Sequence, residues 1–262
     1  MTLDKIKVVV TGACGRMGRE TCKAVSGADD IQLVGACDVT FPGRSLADIV
    51  GGGVPDVLIQ EDLDSLIAET KPDVIVDFTT PATVLDNVRK AASSATSIIV
   101  GTTGVTPKDL AAEDELARKS GSCIFVVPNF AIGAVLMMKF ASEAAKYLPS
   151  VEIIELHHDK KLDAPSGTSL ITADMVASAR GEVTTAESQP PARGLEHKGV
   201  RIHSVRLPGL VAHQEVIFGG EGQTLTIRHD SLDRSSFMPG VLLAIRKAKD
   251  IRGLVYGLDK IL

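Results

Sequence analysis

The sequence predicts an α/β chain of two domains. Three observations carry this. From Lys7 onward, short apolar strands alternate with amphipathic helices, the pattern of a parallel sheet covered on both faces. The first strand runs directly into a glycine loop and a helix, Gly12-Ala13-Cys14-Gly15-Arg16-Met17-Gly18. Beyond Val151 the rhythm changes to alternating strands divided by glycine turns, which fits an open, largely antiparallel sheet. The expected architecture is a Rossmann-like doubly wound parallel sheet plus an α+β domain with an open mixed sheet. The expected boundaries are residues 1–129, completed by 238–262, for a dinucleotide-binding domain, and 130–237 for the second domain.

Composition narrows the function classes. The chain has 262 residues, 44% hydrophobic and 23% charged, enough to bury a core and unlike a disordered chain. Its net charge is -5 and neither sign runs in blocks, which argues against a nucleic-acid binder. No apolar run reaches the ~18 residues a membrane span needs. Met1-Thr2-Leu3-Asp4-Lys5 carries no signal-peptide pattern, so no membrane is expected and the expected compartment is cytoplasmic. Cys14, Cys22, Cys37 and Cys123 form no CxxC pair, and no His or Cys sits at metal-ligand spacing from another. Neighbours on a strand point to opposite faces, so His157-His158 is no metal signature either. Neither a metal nor a disulfide is expected.

Taken in order, Lys7 to Gly12 reads as a buried strand. The loop that follows is spaced GxxGxxG rather than GxGxxG. A strand, a glycine loop and a helix start make a pyrophosphate cradle, because backbone N–H groups and a positive helix end approach the phosphates. The second strand, Ile31 to Cys37, ends in Asp38, about 20 residues past the loop, in the range for a ribose hydroxyl acceptor. The alternative for Asp38 is a solvent-facing loop cap. Asp73 to Thr79 is a strand and Pro81 to Ser94 a helix with proline in its first turn. Ser97 to Thr103 is a strand, Pro107 to Ser120 a helix, and Ser122 to Asn129 a strand. In such sheets ligands sit beyond the carboxyl ends of strands. Phe78-Thr79-Thr80, Gly101-Thr102-Thr103-Gly104 and Pro128-Asn129-Phe130 are therefore candidates to line one crevice. The second of these, two hydroxyl donors between glycines, looks most like a close approach to a ligand.

Ala134 to Leu148 is a long amphipathic helix, and a strand at Val151 opens the second domain. Ser169 to Ala179 is a helix, and Gly181 to Gly199, with Pro190-Pro191, an exposed polar loop. Val200 to Leu207, Ala212 to Phe218 and Gln223 to His229 are alternating strands. A sheet with one face uncovered needs a partner, so an oligomer is expected. Ser235 to Lys249 is helical, and Gly253 to Leu258 is a short strand expected to pack back on the first domain.

The stretch Glu152 to Thr168 concentrates the chemistry. An apolar strand runs into His157 and His158, then Lys160 and Lys161, then Asp163-Ala164-Pro165-Ser166-Gly167-Thr168, a turn that opens a helix. A histidine supplies protons near neutral pH, and lysines with helix N–H groups hold carboxylates. Singly, the lysines read as solvated surface charges and either histidine as a hydrogen-bonded structural group. As a set, beside a dinucleotide fold, they read as a site where hydride addition to a C=N or C=C bond is completed by a proton. Rival readings are another two-domain amino- or keto-acid dehydrogenase, and an idle NAD(P)-sensing module. The first has no reason to carry His157, His158 and Lys161 in this spacing, and the second could keep the glycine loop and lose the proton donor, whereas this chain keeps both. Cys14 has two readings as well: a small residue in a tight turn, or a thiol whose pKa the helix dipole lowers.

The run Glu152 to Thr168 closely resembles the signature of the 4-hydroxy-tetrahydrodipicolinate reductase family, long called dihydrodipicolinate reductase. The glycine loop, Gly101-Thr102-Thr103-Gly104, Pro128-Asn129-Phe130, Arg201 to Gly209 and Ala212 to Glu215 match too, so the resemblance spans essentially the whole chain. Ser169 departs from the family's usual alanine. The resemblance implies NAD(P)H-dependent reduction of a small cyclic dicarboxylate, giving (S)-2,3,4,5-tetrahydrodipicolinate in diaminopimelate and L-lysine synthesis. It implies that His157 is the proton donor or acceptor, Lys161 a second donor, and that His158, Gly167 and Thr168 contact substrate carboxylates. It implies cofactor contacts from Gly12, Ala13, Cys14, Gly15, Arg16 and Met17, from Asp38, from Gly101, Thr102 and Thr103, and from Val127, Pro128, Asn129 and Phe130. It further implies a homotetramer built through the second domain's sheets. Asp38 favours NADH, whereas Arg16 and Arg44 are candidates for a 2′-phosphate, and Val39 stands where some members carry arginine. Dual use of NADH and NADPH is expected, with no metal.

Overall fold

The structure, a computed structural model, describes residues 4–106, 108–181 and 191–262. The chain forms two compact units, Met1–Phe130 with Phe237–Leu262, and Ala131–Ser236. In chain order the first unit holds β1 (Ile6–Thr11), α1 (Arg16–Ser26), β2 (Ile31–Cys37), α2 (Leu46–Val50) and β3 (Ile59–Gln60). It continues through α3 (Leu63–Thr70), β4 (Val74–Asp77), α4 (Val84–Ser93), β5 (Ser97–Val100), α5 (Ala111–Ser120) and β6 (Cys123–Val126). The second unit holds α6 (Ile132–Ala145), β7 (Ser150–His157), α7 (Gly167–Arg180), β8 (Leu195–His197), β9 (Val200–Arg206), β10 (Ala212–Gly220) and β11 (Gln223–Ser231). The chain then returns to the first unit with α8 (Met238–Ala248) and β12 (Gly253–Tyr256).

The first unit is built on a seven-stranded parallel sheet in the order β12-β6-β5-β4-β1-β2-β3. Val8 to Val10, Val74 to Val76, Ile98 to Val100 and Cys123 to Val126 are all buried. Helices cover both faces of such a sheet, so its strands read as unbroken apolar runs rather than alternating ones. The order of winding reverses between β1 and β4, which pair side by side. The carboxyl ends of these two strands therefore flank the switch point where open α/β sheets take ligands.

The second unit has a five-stranded mixed sheet in the order β11-β10-β7-β9-β8. β7 and β9 run parallel, and the other neighbours are antiparallel. Helices α6 and α7 pack together and against the sheet. On β7 the face carrying Val151, Ile153 and Glu155 is buried, and the face carrying Glu152, Ile154 and Leu156 is only half-buried. This alternation is what a sheet covered on one side requires.

Several expected elements differ from those observed, each for a local reason. Pro81 lies outside α4: it is the second residue of a turn closed by Thr83 N–H on Thr80 O at 3.1 Å, a position its fixed φ suits. α5 starts at Ala111, after a turn in which Asp109 N–H bonds Thr106 O at 3.1 Å; Pro107 lies outside the described residues. The polar stretch Gly181 to Gly199 contains β8, with residues 182–190 outside the described ones. β4, β5 and β6 end earlier than expected, at Asp77, Val100 and Val126, leaving the residues beyond as edge loops. Between Asp38 and Lys71 the structure adds α2, β3 and α3, the last capped by Asp62 on the N–H groups of Asp64 and Ser65.

α8 sits against the exit of β6 at Gly240, where a Cβ would lie 2.0 Å from Phe130 O. Gly240→Ala is expected to destabilise the protein by roughly 1–3 kcal/mol, the range for overpacking. Denaturant melts check this, and a midpoint equal to wild type contradicts it.

Candidate functional site

In the first unit the site grows from the carboxyl edge of the parallel sheet. Gly12 leaves β1 with φ +70, and a Cβ there would lie 2.4 Å from Phe78 O. Only glycine fits both the left-handed conformation and that approach. α1 follows with Gly15 as its cap and no side chain on its first-turn N–H groups. Such an end suits an anion. Arg19 braces the loop from below, donating from Nε to Cys14 O at 2.7 Å and from Nη1 to Ile49 O at 2.8 Å.

Asp38, at the exit of β2, accepts the N–H of Cys14 at 2.8 Å on Oδ2 and that of Thr40 at 2.8 Å on Oδ1. Each carboxylate oxygen keeps a lone pair for a further donor. A cavity of about 740 Å³ opens beside these groups, lined among others by Gly12, Gly15, Asp38, Thr79 and Lys90. The glycine cradle, the uncapped helix and the carboxylate fit a dinucleotide. The Cys14 thiol is pushed up to about 11 by burial and then by the Asp38 charge. That direction is opposite to the one a helix end would impose on a thiol.

Behind the loop lies a residue that sequence reasoning missed. Asp77, the last residue of β4, is fully buried. It accepts the hydroxyls of Thr11 at 2.8 Å, Thr79 at 2.8 Å and Thr102 at 2.7 Å, the Asn87 amide at 2.7 Å and the Thr79 N–H at 3.1 Å. One carboxylate therefore joins the ends of β1 and β5, its own exit loop and α4. The available signal was a charged residue closing an otherwise apolar strand. Of the two hydroxyls expected to face a ligand at Gly101 to Gly104, that of Thr102 is turned to Asp77, while Thr103 is exposed. Val127 and Phe130 are buried, Pro128 is exposed and Asn129 half-buried. The Phe130 ring packs on Phe78 with centroids 5.6 Å apart. Among the other loop residues, Ala13 is buried, Met17 half-buried and Arg16 exposed.

In the second unit, β7 carries Glu155 and His157 on one face, two residues apart. His157 Nδ1 is in close contact with Glu155 Oε2. Glu155 is fully buried and takes a fork from Arg206, Nη1 to Oε2 at 2.9 Å and Nη2 to Oε1 at 2.7 Å. Burial alone would raise the Glu155 pKa; the hydrogen bonds of His157 and Arg206 outweigh it and lower it to about 2. The chain turns after His157, with Lys161 N–H on His158 O at 3.1 Å, and Lys161 Nζ reaches both Asp163 oxygens at 2.7 Å. That ion pair lowers the pKa of Asp163. His158 and Lys160 are exposed. α7 opens with Gly167 and Thr168 after Ser166, whose hydroxyl accepts the Ser169 N–H at 3.2 Å. Gly167 faces open space, with nothing within 4 Å of a Cβ built there. Glu155, Asp163 and Arg206 escaped sequence reasoning. The Arg206 contacts span more than forty residues, a pairing that spacing alone does not reveal.

Two family models match the chain: dihydrodipicolinate reductase, N-terminus, over residues 6–130, and dihydrodipicolinate reductase, C-terminus, over residues 133–262. The chain belongs to the dihydrodipicolinate reductase family. A 4-hydroxy-tetrahydrodipicolinate reductase of Syntrophomonas wolfei is 49% identical over 264 residues, covering 99% of each protein. One of Listeria welshimeri is 51% identical over 262 residues, 98% of this chain and 100% of the relative. A solved structure, the dipicolinate-bound dihydrodipicolinate reductase from Paenisporosarcina sp. TG-14, is similar at 45% identity and TM-score 0.87, covering 98% of this chain and 100% of that one. An amine dehydrogenase from Mycobacterium smegmatis, 15% identical with TM-score 0.71, shares the fold over 98% of this chain and 96% of its own. The C-terminal model of the reductase family includes α8 and β12, which here fold with the first unit. Among the described residues of this family member, no three His, Cys, Asp or Glu side chains gather to hold a metal ion, and no helix is long and apolar enough to cross a membrane.

Asp77→Asn replaces acceptor lone pairs with an amide NH₂ facing donors. It is expected to raise the NADH Kd about tenfold, equivalent to ~1.4 kcal/mol. Titration of NADH binding checks this; unchanged affinity would remove Asp77 from the support of the loop.

Proposed function

We propose that this chain reduces 4-hydroxy-tetrahydrodipicolinate with NADH or NADPH, giving (S)-2,3,4,5-tetrahydrodipicolinate in diaminopimelate and lysine synthesis. One observation carries the reading: an imidazole held on a buried carboxylate is followed, after one turn, by a lysine and then by a helix opening, in a member of this reductase family. The bound dinucleotide supplies the hydride. Gly12 to Met17 receive its pyrophosphate, and Asp38 accepts a ribose hydroxyl. Gly101 to Thr103 and Val127 to Phe130 line the remainder of its path.

His157 supplies the proton that completes the reduction. Lys161 is the second donor and pairs with a substrate carboxylate, for which the Asp163 ion pair has to loosen. His158, Gly167 and Thr168 bind the dicarboxylate, Gly167 through backbone in the open first turn of α7. Dual cofactor use follows from Asp38 on one side and two arginines on the other. Arg16 is exposed, and exposed Arg44 pairs with Asp48 at 4.0 Å, a weak surface contact, so either is able to meet a 2′-phosphate. Ile154 and Ile217 lie half-buried on the less covered face of the five-stranded sheet, which supports a homotetramer built through those sheets. The reading places the enzyme in the cytoplasm.

His157→Gln is expected to lower kcat by roughly 10²-fold, the scale of a lost general acid, with little change in dinucleotide binding. Lys161→Ala is expected to raise KM for the dicarboxylate and to lower kcat. Steady-state kinetics check both, and wild-type turnover in the His157 variant would exclude it as the donor.

A further inference from the structure

We infer that Glu155 and Arg206 are positioning residues for the reduction: Glu155 grips His157 at Nδ1 so that Nε2 delivers the proton, and Arg206 ties that pair to the loop carrying Lys161. The inference rests on the role proposed above for His157.

A buried carboxylate is tolerated only when donors surround it. Glu155 meets that demand with the His157 ring, the Arg206 guanidinium and the Ser204 hydroxyl. Arg206 stands opposite His157 in the β7–β9 register and reaches diagonally back to Glu155. Its fork takes one hydrogen from each Nη to the two carboxylate oxygens. The other two Nη hydrogens go to Val205 O at 2.8 Å and Asp163 O at 2.8 Å. All four Nη hydrogens are thereby placed, and one of them lands on the residue whose carboxylate holds Lys161 Nζ. Contacts therefore run unbroken from imidazole to ammonium: His157, Glu155, Arg206, Asp163, Lys161. A lysine at position 206 keeps the charge, but its single nitrogen does not reproduce the planar fork and the carbonyl bonds together.

The consequence for chemistry is directional. Free imidazole favours a proton on Nε2; an ionised acceptor at Nδ1 reverses that preference. The 4-hydroxyl leaves with a neighbouring ring hydrogen as water; the conjugated bond that remains would take a hydride from a bound dinucleotide, and it takes one proton from Nε2 of the His157 ring. The N–H bonding pair stays on the ring, leaving neutral Nδ1–H imidazole bonded to Glu155. Water later returns the proton. Glu155 fixes which nitrogen is emptied.

The test uses full-length, histidine-labelled protein and proton–nitrogen correlation spectra, with the His157 signals assigned by their loss in His157→Gln. The neutral ring should carry its proton on Nδ1 in the wild type. In Glu155→Gln, Arg206 can only donate, so the amide oxygen turns to it and the amide NH₂ to His157. The proton should then move to Nε2, and kcat should fall by roughly 10²-fold with dinucleotide Kd unchanged. Arg206→Lys should lower kcat by about tenfold despite conserving charge. An Nε2–H ring in the wild type, or wild-type kcat in both variants, would overturn the inference. If Glu155→Gln does not fold, the wild-type tautomer and Arg206→Lys decide. The tautomer is read without turnover, so an inactive wild type with Nδ1–H on His157 refutes the reductase reading and leaves the geometry standing.

Discussion

A carboxylate taken out of water must be ringed by donors, and each of this chain's two candidate functional edges depends on one. Asp77 is fully buried in the first unit and Glu155 in the second. Neither tolerates loose surroundings, because each missing hydrogen bond leaves charge in a poorly polarisable interior. The donors that converge on them come from separate elements, and their convergence sets the shape of both functional edges. Around Asp77 the donors are neutral hydroxyls and amides from the ends of β1 and β5, from the exit loop of β4, and from α4. Around Glu155 the main donors are a guanidinium and an imidazole.

The difference in donor type matches the difference in task. A phosphate cradle needs backbone held still, which the neutral donors on Asp77 do behind the loop while Arg19 braces it at Cys14 O. A proton donor needs an acceptor beside it that sets which ring nitrogen carries the proton. The low pKa of Glu155 keeps that acceptor ionised throughout the neutral range. Sheet geometry makes both arrangements available. Parallel strands end together at the switch point, and alternate residues of β7 share a face, so Glu155 meets His157 without any special turn.

Much of the fold was legible in the sequence. The buried parallel strands announce themselves as apolar runs, and the β12 tail shows the same signature. The change of rhythm after Val151 marks the second sheet. The failures share a cause. β3 has two residues, β8 three and α2 five, too short for any periodicity to register. Pro81 looked like a helix start because proline serves first turns and turn corners alike, and only the Thr80–Thr83 bond decides. For the candidate site, the residue types along Glu152 to Thr168 and the glycine loop could be named in advance. What joins them could not. Asn87 and Thr102 reach Asp77, and Arg206 reaches Glu155, through strand register and helix placement, neither of which is written locally.

The family of the chain, its glycine cradle and its histidine–carboxylate pair converge on one claim, that it transfers hydride to a cyclic dicarboxylate. The most direct test follows the absorbance of reduced nicotinamide as freshly generated 4-hydroxy-tetrahydrodipicolinate is added to the wild-type protein. The account predicts that NADH and NADPH are each consumed in step with the dicarboxylate. Binding of both dinucleotides with no consumption of either would contradict it.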